Sequence, residues 1–154
     1  MKARQVMRKK VITVKPEDRV VKVLGIFSKE KISGAPVMDG KKLVGMITDS
    51  DIIAKLDIHT PRIHFASSPD FLLIMAGIKG KGTSLREEMK VLKNFRVQDF
   101  MTKRVFTVLP EDPLTEIAGI MHGKGVNRVP VLNGKGHLVG IVARQDIIRA
   151  LTRC

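Results

Sequence analysis

The chain contains no tryptophan, no tyrosine and one cysteine in 154 residues. A lone Cys154 permits no internal disulfide, and the expectation is a reducing, cytoplasmic setting. No apolar run approaches the roughly 18 residues that a membrane-spanning helix needs. Met1-Lys2-Ala3-Arg4-Gln5 is not followed by a signal-like hydrophobic segment, which points the same way. Acidic residues are scarce: 15 against 28 Lys and Arg, a net charge of +13. Such an excess attracts nucleic acid, an anionic membrane or a phosphorylated ligand. The basic residues are dispersed, however, with only short clusters such as Arg8-Lys9-Lys10. With no Trp or Tyr for stacking and no recognisable motif, nucleic-acid binding is the weaker alternative.

Catalytic and metal chemistry find little support. His59, His64, His122 and His137 lack metal-ligand spacing, and no Ser/His/Asp or Cys/His arrangement is present. Gly77 to Ser84 fails the phosphate-loop template because Thr83 follows Gly82 with no Lys between them. Asp49 and Asp51 fit the ordinary preference for acids at a helix start. Met7, Met89, Met101 and Met121 are expected as core filler.

The chain is dominated by an internal duplication. Leu43-Val44-Gly45-Met46-Ile47-Thr48-Asp49-Ser50-Asp51-Ile52-Ile53 reads as a buried strand running into a helix that starts at Thr48. It returns as Leu138-Val139-Gly140-Ile141-Val142-Ala143-Arg144-Gln145-Asp146-Ile147-Ile148. Each copy has the order strand, helix, strand, strand, helix. Copy one opens with Val11–Val14 and Asp18 as a helix N-cap. Val20, Val23, Leu24 and Phe27 form one apolar helix face, and Ser33-Gly34 breaks that helix. A strand then starts near Pro36, Asp39-Gly40 makes the hairpin, and the last helix runs from Thr48 to about Leu56. Copy two repeats this with Val105–Val108, Pro113 at the first helical position, and an apolar face of Leu114, Ile117, Ala118 and Met121. It carries one extra residue near Gly136-His137. Between the copies lies an insert, 57–98. It holds the apolar run Phe71–Ala76, a basic Gly77–Thr83 loop, and a Ser84–Glu87 capping box opening a helix with Leu85, Met89 and Leu92 on one side.

Thr13-Val14-x-Pro16 with Thr107-Val108-x-Pro110, Ala35-Pro36-Val37 with Val129-Pro130-Val131, and Gly45-x-x-Thr48-x-x-Asp51 together resemble a tandem pair of CBS (cystathionine β-synthase) domains. The resemblance covers roughly residues 5–56 and 99–152. It implies an α/β (α+β) fold: two βαββα repeats about a pseudo-twofold axis, with the helical or loop insert between them. It further implies a regulatory, non-enzymatic module that often pairs into a homodimer and signals to a partner protein. No cofactor is required. An adenosine-containing ligand (AMP, ADP, ATP or S-adenosylmethionine) would sit in clefts between the repeats, a form of energy sensing.

On that resemblance, the first cleft would use Ile12 and Thr13 beside adenine, with Ser33, Gly34 and Ala35 allowing close approach. Thr48 offers a helix start suited to phosphate, and Asp51 would accept bonds from ribose hydroxyls. The second would use Phe106, Thr107, Arg128, Val129, Arg144 and Asp146. There Ala143 replaces the Thr, and Arg144 or Arg128 would meet phosphate instead. Thr48-x-x-Asp51 is equally an ordinary capping arrangement, and a structural or assembly module with empty clefts remains a further alternative.

Overall fold

A computed structural model describes residues 1–59, 90 and 92–153. The elements are α1 (Ala3–Val6), α2 (Val20–Glu30), β1 (Gly34–Asp39), β2 (Lys42–Thr48) and α3 (Asp49–His59). They continue with α4 (Val97–Phe100), α5 (Leu114–Lys124), β3 (Arg128–Leu132), β4 (Leu138–Ala143) and α6 (Arg144–Leu151). The strands form separate two-stranded sheets, β1 with β2 and β3 with β4. The expected apolar run, basic loop and capping box at 71–87 lie outside the described residues, as do Leu85 and Met89; Leu92 is buried.

Two compact units divide the chain. One comprises 1–13, 38–44 and 104–154, the other 14–37 and 45–103. The segment that precedes the first copy in sequence therefore belongs to the unit holding the second copy, and the segment preceding the second copy belongs with the first. The backbone bonds repeat residue for residue. In the first unit the Arg8 N–H donates to Ile141 O at 2.9 Å, and the Ile141 N–H returns to Arg8 O at 3.1 Å. In the second, the Thr102 N–H donates to Met46 O at 2.8 Å and the Met46 N–H to Thr102 O at 2.9 Å. The duplication pattern carries no sign of this membership, because a repeat in sequence is silent about which copy its leading segment joins.

The first unit's core gathers Ala3, Ile117, Val129, Val131 and Val142, all fully buried. Burying each larger side chain of this set stabilises the fold by about 1.5–3 kcal/mol. Antiparallel β3 and β4 pair Arg128 with Ala143 and Val129 with Val142, and their register shifts between Val131 and Leu132. That irregularity accommodates the extra residue of the second copy. Asn133 closes the turn, its Oδ1 accepting from the Lys135 N–H at 3.0 Å and the His137 N–H at 2.9 Å. In the second unit the α2 face Val20, Val23, Leu24 and Phe27 is buried as its spacing requires, and so are Val37, Ile47 and Ile52.

Several local expectations are corrected. Val11–Val14 and Val105–Val108 are not strands: each contributes one parallel bridge, Val14 to Val37 and Val108 to Val131. Asp18 does not cap α2, whose N-cap is Arg19; its carboxylate instead accepts from the Lys15 N–H at 2.9 Å and Lys22 Nζ at 2.9 Å. Pro113 is the N-cap of α5 rather than its first residue, and Ala118 is exposed. β1 begins at Gly34, and α3 continues to His59. The α2 helix ends before Ser33-Gly34, because Lys31 takes a left-handed φ of 52°. The matching residue in copy two is Gly125, φ 64°, where the missing Cβ removes the strain.

Candidate functional site: the paired helix starts

In each copy the second strand of the hairpin stops at a helix, and the third helical residue is an aspartate. Thr48 precedes α3, and the pair form a reciprocal capping box. The Thr48 N–H donates to Asp51 Oδ2 at 2.9 Å, Thr48 Oγ1–H to the same oxygen at 3.0 Å, and the Asp51 N–H donates to Thr48 Oγ1 at 3.2 Å. The remaining oxygen, Oδ1, accepts from the Thr102 hydroxyl at 3.1 Å. The Asp49 N–H donates to Ser33 O at 3.0 Å, which brings the small run Ser33-Gly34-Ala35 beside the helix start. Gly34 and Ala35 are buried, while Ser33, Thr48 and Asp51 are half-buried.

The second helix start keeps the aspartate and loses the hydroxyl. The Ala143 N–H donates to Asp146 Oδ2 at 2.9 Å, half of the same box. Asp146 Oδ1 pairs with Arg8 Nε at 3.0 Å, and the carboxylate is almost sealed, with 6% of its side chain exposed. The Arg144 N–H donates to Asn127 O at 2.8 Å, and Arg128 pairs with Ala143 across the ladder. Arg128, Val129, Arg144 and Asp146 therefore lie around one strand–helix junction. Arg144 is exposed and Val129 is core. Phe106 is half-buried with Arg104 and Lys124 each 5.4 Å from its ring centroid, so its ring stacks on cations; Thr107 is exposed. Ile12 (half-buried) and Thr13 (exposed) belong to the first unit.

Glycines complete both junctions. A Cβ on Gly45 would meet Met101 Sδ at 2.8 Å and Thr102 O at 3.0 Å. On Gly140 it would collide with Met7 Sδ and come within 2.8 Å of Met7 Cγ. Met7 and Met101 are thus more specific than core filler: each seats its thioether in the space left by a glycine. Of the residues that touch the aspartates, Thr102 was not singled out from the sequence, and Arg8 figured only in a short basic cluster. Their position directly after these methionines, in matching places before the two copies, was the available signal.

A family model described as "CBS domain" matches residues 3–58 and again 97–153. An uncharacterized Methanocaldococcus jannaschii protein, MJ1426, is 35% identical over 98% of this chain and 91% of its own length. The inosine-5'-monophosphate dehydrogenase of Korarchaeum cryptofilum is 31% identical over 89% of this chain, but over only 21% of the enzyme. Among solved structures, CBSX2 in complex with AMP has a TM-score of 0.70 at 24% identity, covering 99% of this chain and 96% of that one. The CBS domain pair of MJ0100, in complex with 5-methylthioadenosine and S-adenosyl-L-methionine, has a TM-score of 0.72 at 21% identity, covering 99% and 97%. The chain belongs to the CBS domain family and carries the domain twice, with the mixed α and β fold that its repeats imply. Among the described residues no helix is long and apolar enough to cross a membrane.

Proposed function

We propose that the chain is a regulatory, non-enzymatic module that binds an adenosine-containing ligand and passes its occupancy to a partner protein, acting as a cytoplasmic homodimer. No further cofactor is involved. The observation that carries the reading is the duplicated strand–helix junction, which holds a carboxylate, threonine hydroxyls and small residues together in the first copy. That set complements a ribose and a phosphate. The relatives support it: CBS pairs of the same fold have been solved with AMP and with S-adenosyl-L-methionine. Thr48 and Asp51 are assigned to phosphate and ribose, Ser33, Gly34 and Ala35 with Ile12 and Thr13 to adenine. The second site is assigned Phe106, Thr107, Arg128, Val129, Arg144 and Asp146.

The two sites are unequal in this reading. A ribose entering at Asp51 displaces one neutral hydroxyl, that of Thr102. At Asp146 it meets a carboxylate already paired with Arg8. Breaking a charge-assisted bond is the costlier exchange, so the first site binds more tightly. Transmission requires that ligand bind one conformation better than another.

A thermal-shift panel of AMP, ADP, ATP, S-adenosylmethionine and NAD is the test, followed by calorimetry on Asp51→Ala. An adenosyl ligand raises the melting temperature, and D51A weakens its binding at least tenfold, about 1.4 kcal/mol. An unchanged dissociation constant removes Asp51 from the ribose role. The capping geometry favours one rival, an assembly module whose junctions only brace their own helices. In that case no ligand in the panel shifts the melting temperature. Retention on heparin that falls steeply with salt would instead favour nucleic acid.

A further inference from the structure

Beside Asp146, on the face of α6 turned toward α1, lies a crevice of about 330 Å³ lined by Gln5, Arg8, Arg149, Ala150 and Arg153. We infer that this crevice is a binding site for the phosphoryl group of a small ligand; it adjoins the second adenosine assignment, with which it shares Asp146, and does not involve the first.

Asp146, Arg149, Ala150 and Arg153 follow one another at helical spacings of three and four, so they share one side of α6. Three arginines face one aspartate, a formal charge of +2. The aspartate does not oppose an incoming anion freely. Its Oδ2 is held by the Ala143 N–H and its Oδ1 by Arg8 Nε, and it is nearly sealed. A guanidinium carries five N–H donors, so pairing through Nε leaves the Nη groups of Arg8 to donate elsewhere. Among the described residues Arg149 and Arg153 have no acidic partner. Gln5 uses its carbonyl oxygen on the Lys2 N–H at 2.7 Å, which directs its amide N–H₂ away as a further donor. Ala150, small and buried, lies between Arg149 and Arg153 along the chain and lines the same crevice. Forked donors lining a small concave space suit a tetrahedral oxyanion.

The general basicity of the chain does not explain this concentration, because the other copy lacks it. The residues matching Gln5, Arg8, Arg149 and Arg153 are Asp99, Thr102, Ala54 and Ile58. With Asp51 and Lys55 in the places of Asp146 and Ala150, two aspartates there oppose one lysine, a formal −1. The matched sequence positions of the two copies thus carry opposite formal charge. A concave site without aromatic residues also favours a compact phosphorylated molecule over a nucleic-acid strand, which gains from stacked bases.

The test titrates sodium pyrophosphate into the full chain by calorimetry at low ionic strength, and compares R149S/R153S with the exposed-surface control K41S/K42S. The expected result is at least a tenfold loss of pyrophosphate affinity in R149S/R153S alone, with its melting temperature unchanged. Equal binding by R149S/R153S, an equal loss in K41S/K42S, or no binding by the parent chain overturns the site. So does a short RNA that uses the same two arginines and binds more tightly than pyrophosphate. AMP is titrated in parallel. If R149S/R153S loses AMP while D51A keeps it, the crevice stands and the ribose role of Asp51 falls. If R149S/R153S loses pyrophosphate only, the two sites are separate.

Discussion

The two helix starts are the same turn written twice with different partners. Asp51 is half-exposed and surrounded by hydroxyls, those of Thr48 and Thr102. Asp146 is buried, capped by a main-chain N–H alone and locked by Arg8. A carboxylate lined by neutral hydroxyls can exchange partners with a ribose at small cost. A sealed carboxylate in an ion pair is more firmly committed to its partner, so exchange there costs more. Duplication therefore supplies the same turn twice, and the residue at two outer positions, Thr48 against Ala143 and Thr102 against Arg8, decides how firmly each aspartate is held.

The largest effect should come from the glycines behind these turns. Gly45→Ala drives a Cβ into Thr102 O, a backbone atom, as well as into Met101, and should cost about 1–3 kcal/mol. Gly140→Ala meets only the Met7 side chain, which can swing aside, and should cost less. Denaturant midpoints of the two variants check the order; a reversal would mean that the methionine at Gly140 is the more tightly held. Next, Asp146→Ala removes the partner of the half-buried Ala143 N–H and of Arg8, an expected loss of about 2 kcal/mol. Asp51→Ala should lose roughly half as much, because the two threonine hydroxyls it leaves can turn toward water. Equal losses would undo the distinction between a committed and an exchangeable carboxylate.

The helix ends offer a smaller contrast. Lys31 holds the left-handed conformation that Gly125 holds without a side chain. Lys31→Gly should stabilise by about 0.5–1 kcal/mol and Gly125→Ala destabilise by about 1 kcal/mol, read from thermal melts. The smallest effect concerns Asp18. Burial raises its carboxyl, but the hydrogen bonds from Lys22 and the Lys15 N–H outweigh that and hold it below the usual carboxylate value. A depressed folded pKa stabilises above the unfolded pKa, and the contribution is lost as pH falls through the folded one. Asp18→Asn should therefore be slightly less stable than the parent at neutral pH, with the gap closing below about pH 4. A gap that persisted into acid would assign Asp18 a purely hydrogen-bonding role.

Some of this was legible in the residues alone. The α2 face showed in its spacing, since Val20, Val23, Leu24 and Phe27 recur on one side and are buried together. The strand–helix turns showed because Gly45 and Gly140 precede apolar residues that run into Asp51 and Asp146. Short edges were misread: Val11–Val14 and Val105–Val108 are β-branched, yet each lends one bridge, because strand formation needs a partner as well as propensity. Helix ends slipped by a residue or two, since Asp18 and Pro113 each have more than one competent position.

Sequence by itself determined the duplication, the family, the apolar faces and the two helix-start aspartates, because those are periodic or local and each residue's neighbours along the chain suffice to define them. Tertiary structure alone decided what each aspartate touches. Arg8 and Thr102 lie far from Asp146 and Asp51 in the chain, and only folding brings them within 3.0 Å and 3.1 Å. It likewise set Arg149 and Arg153 beside Arg8, since a charge cluster drawn from the two ends of a chain exists only once those ends pack together.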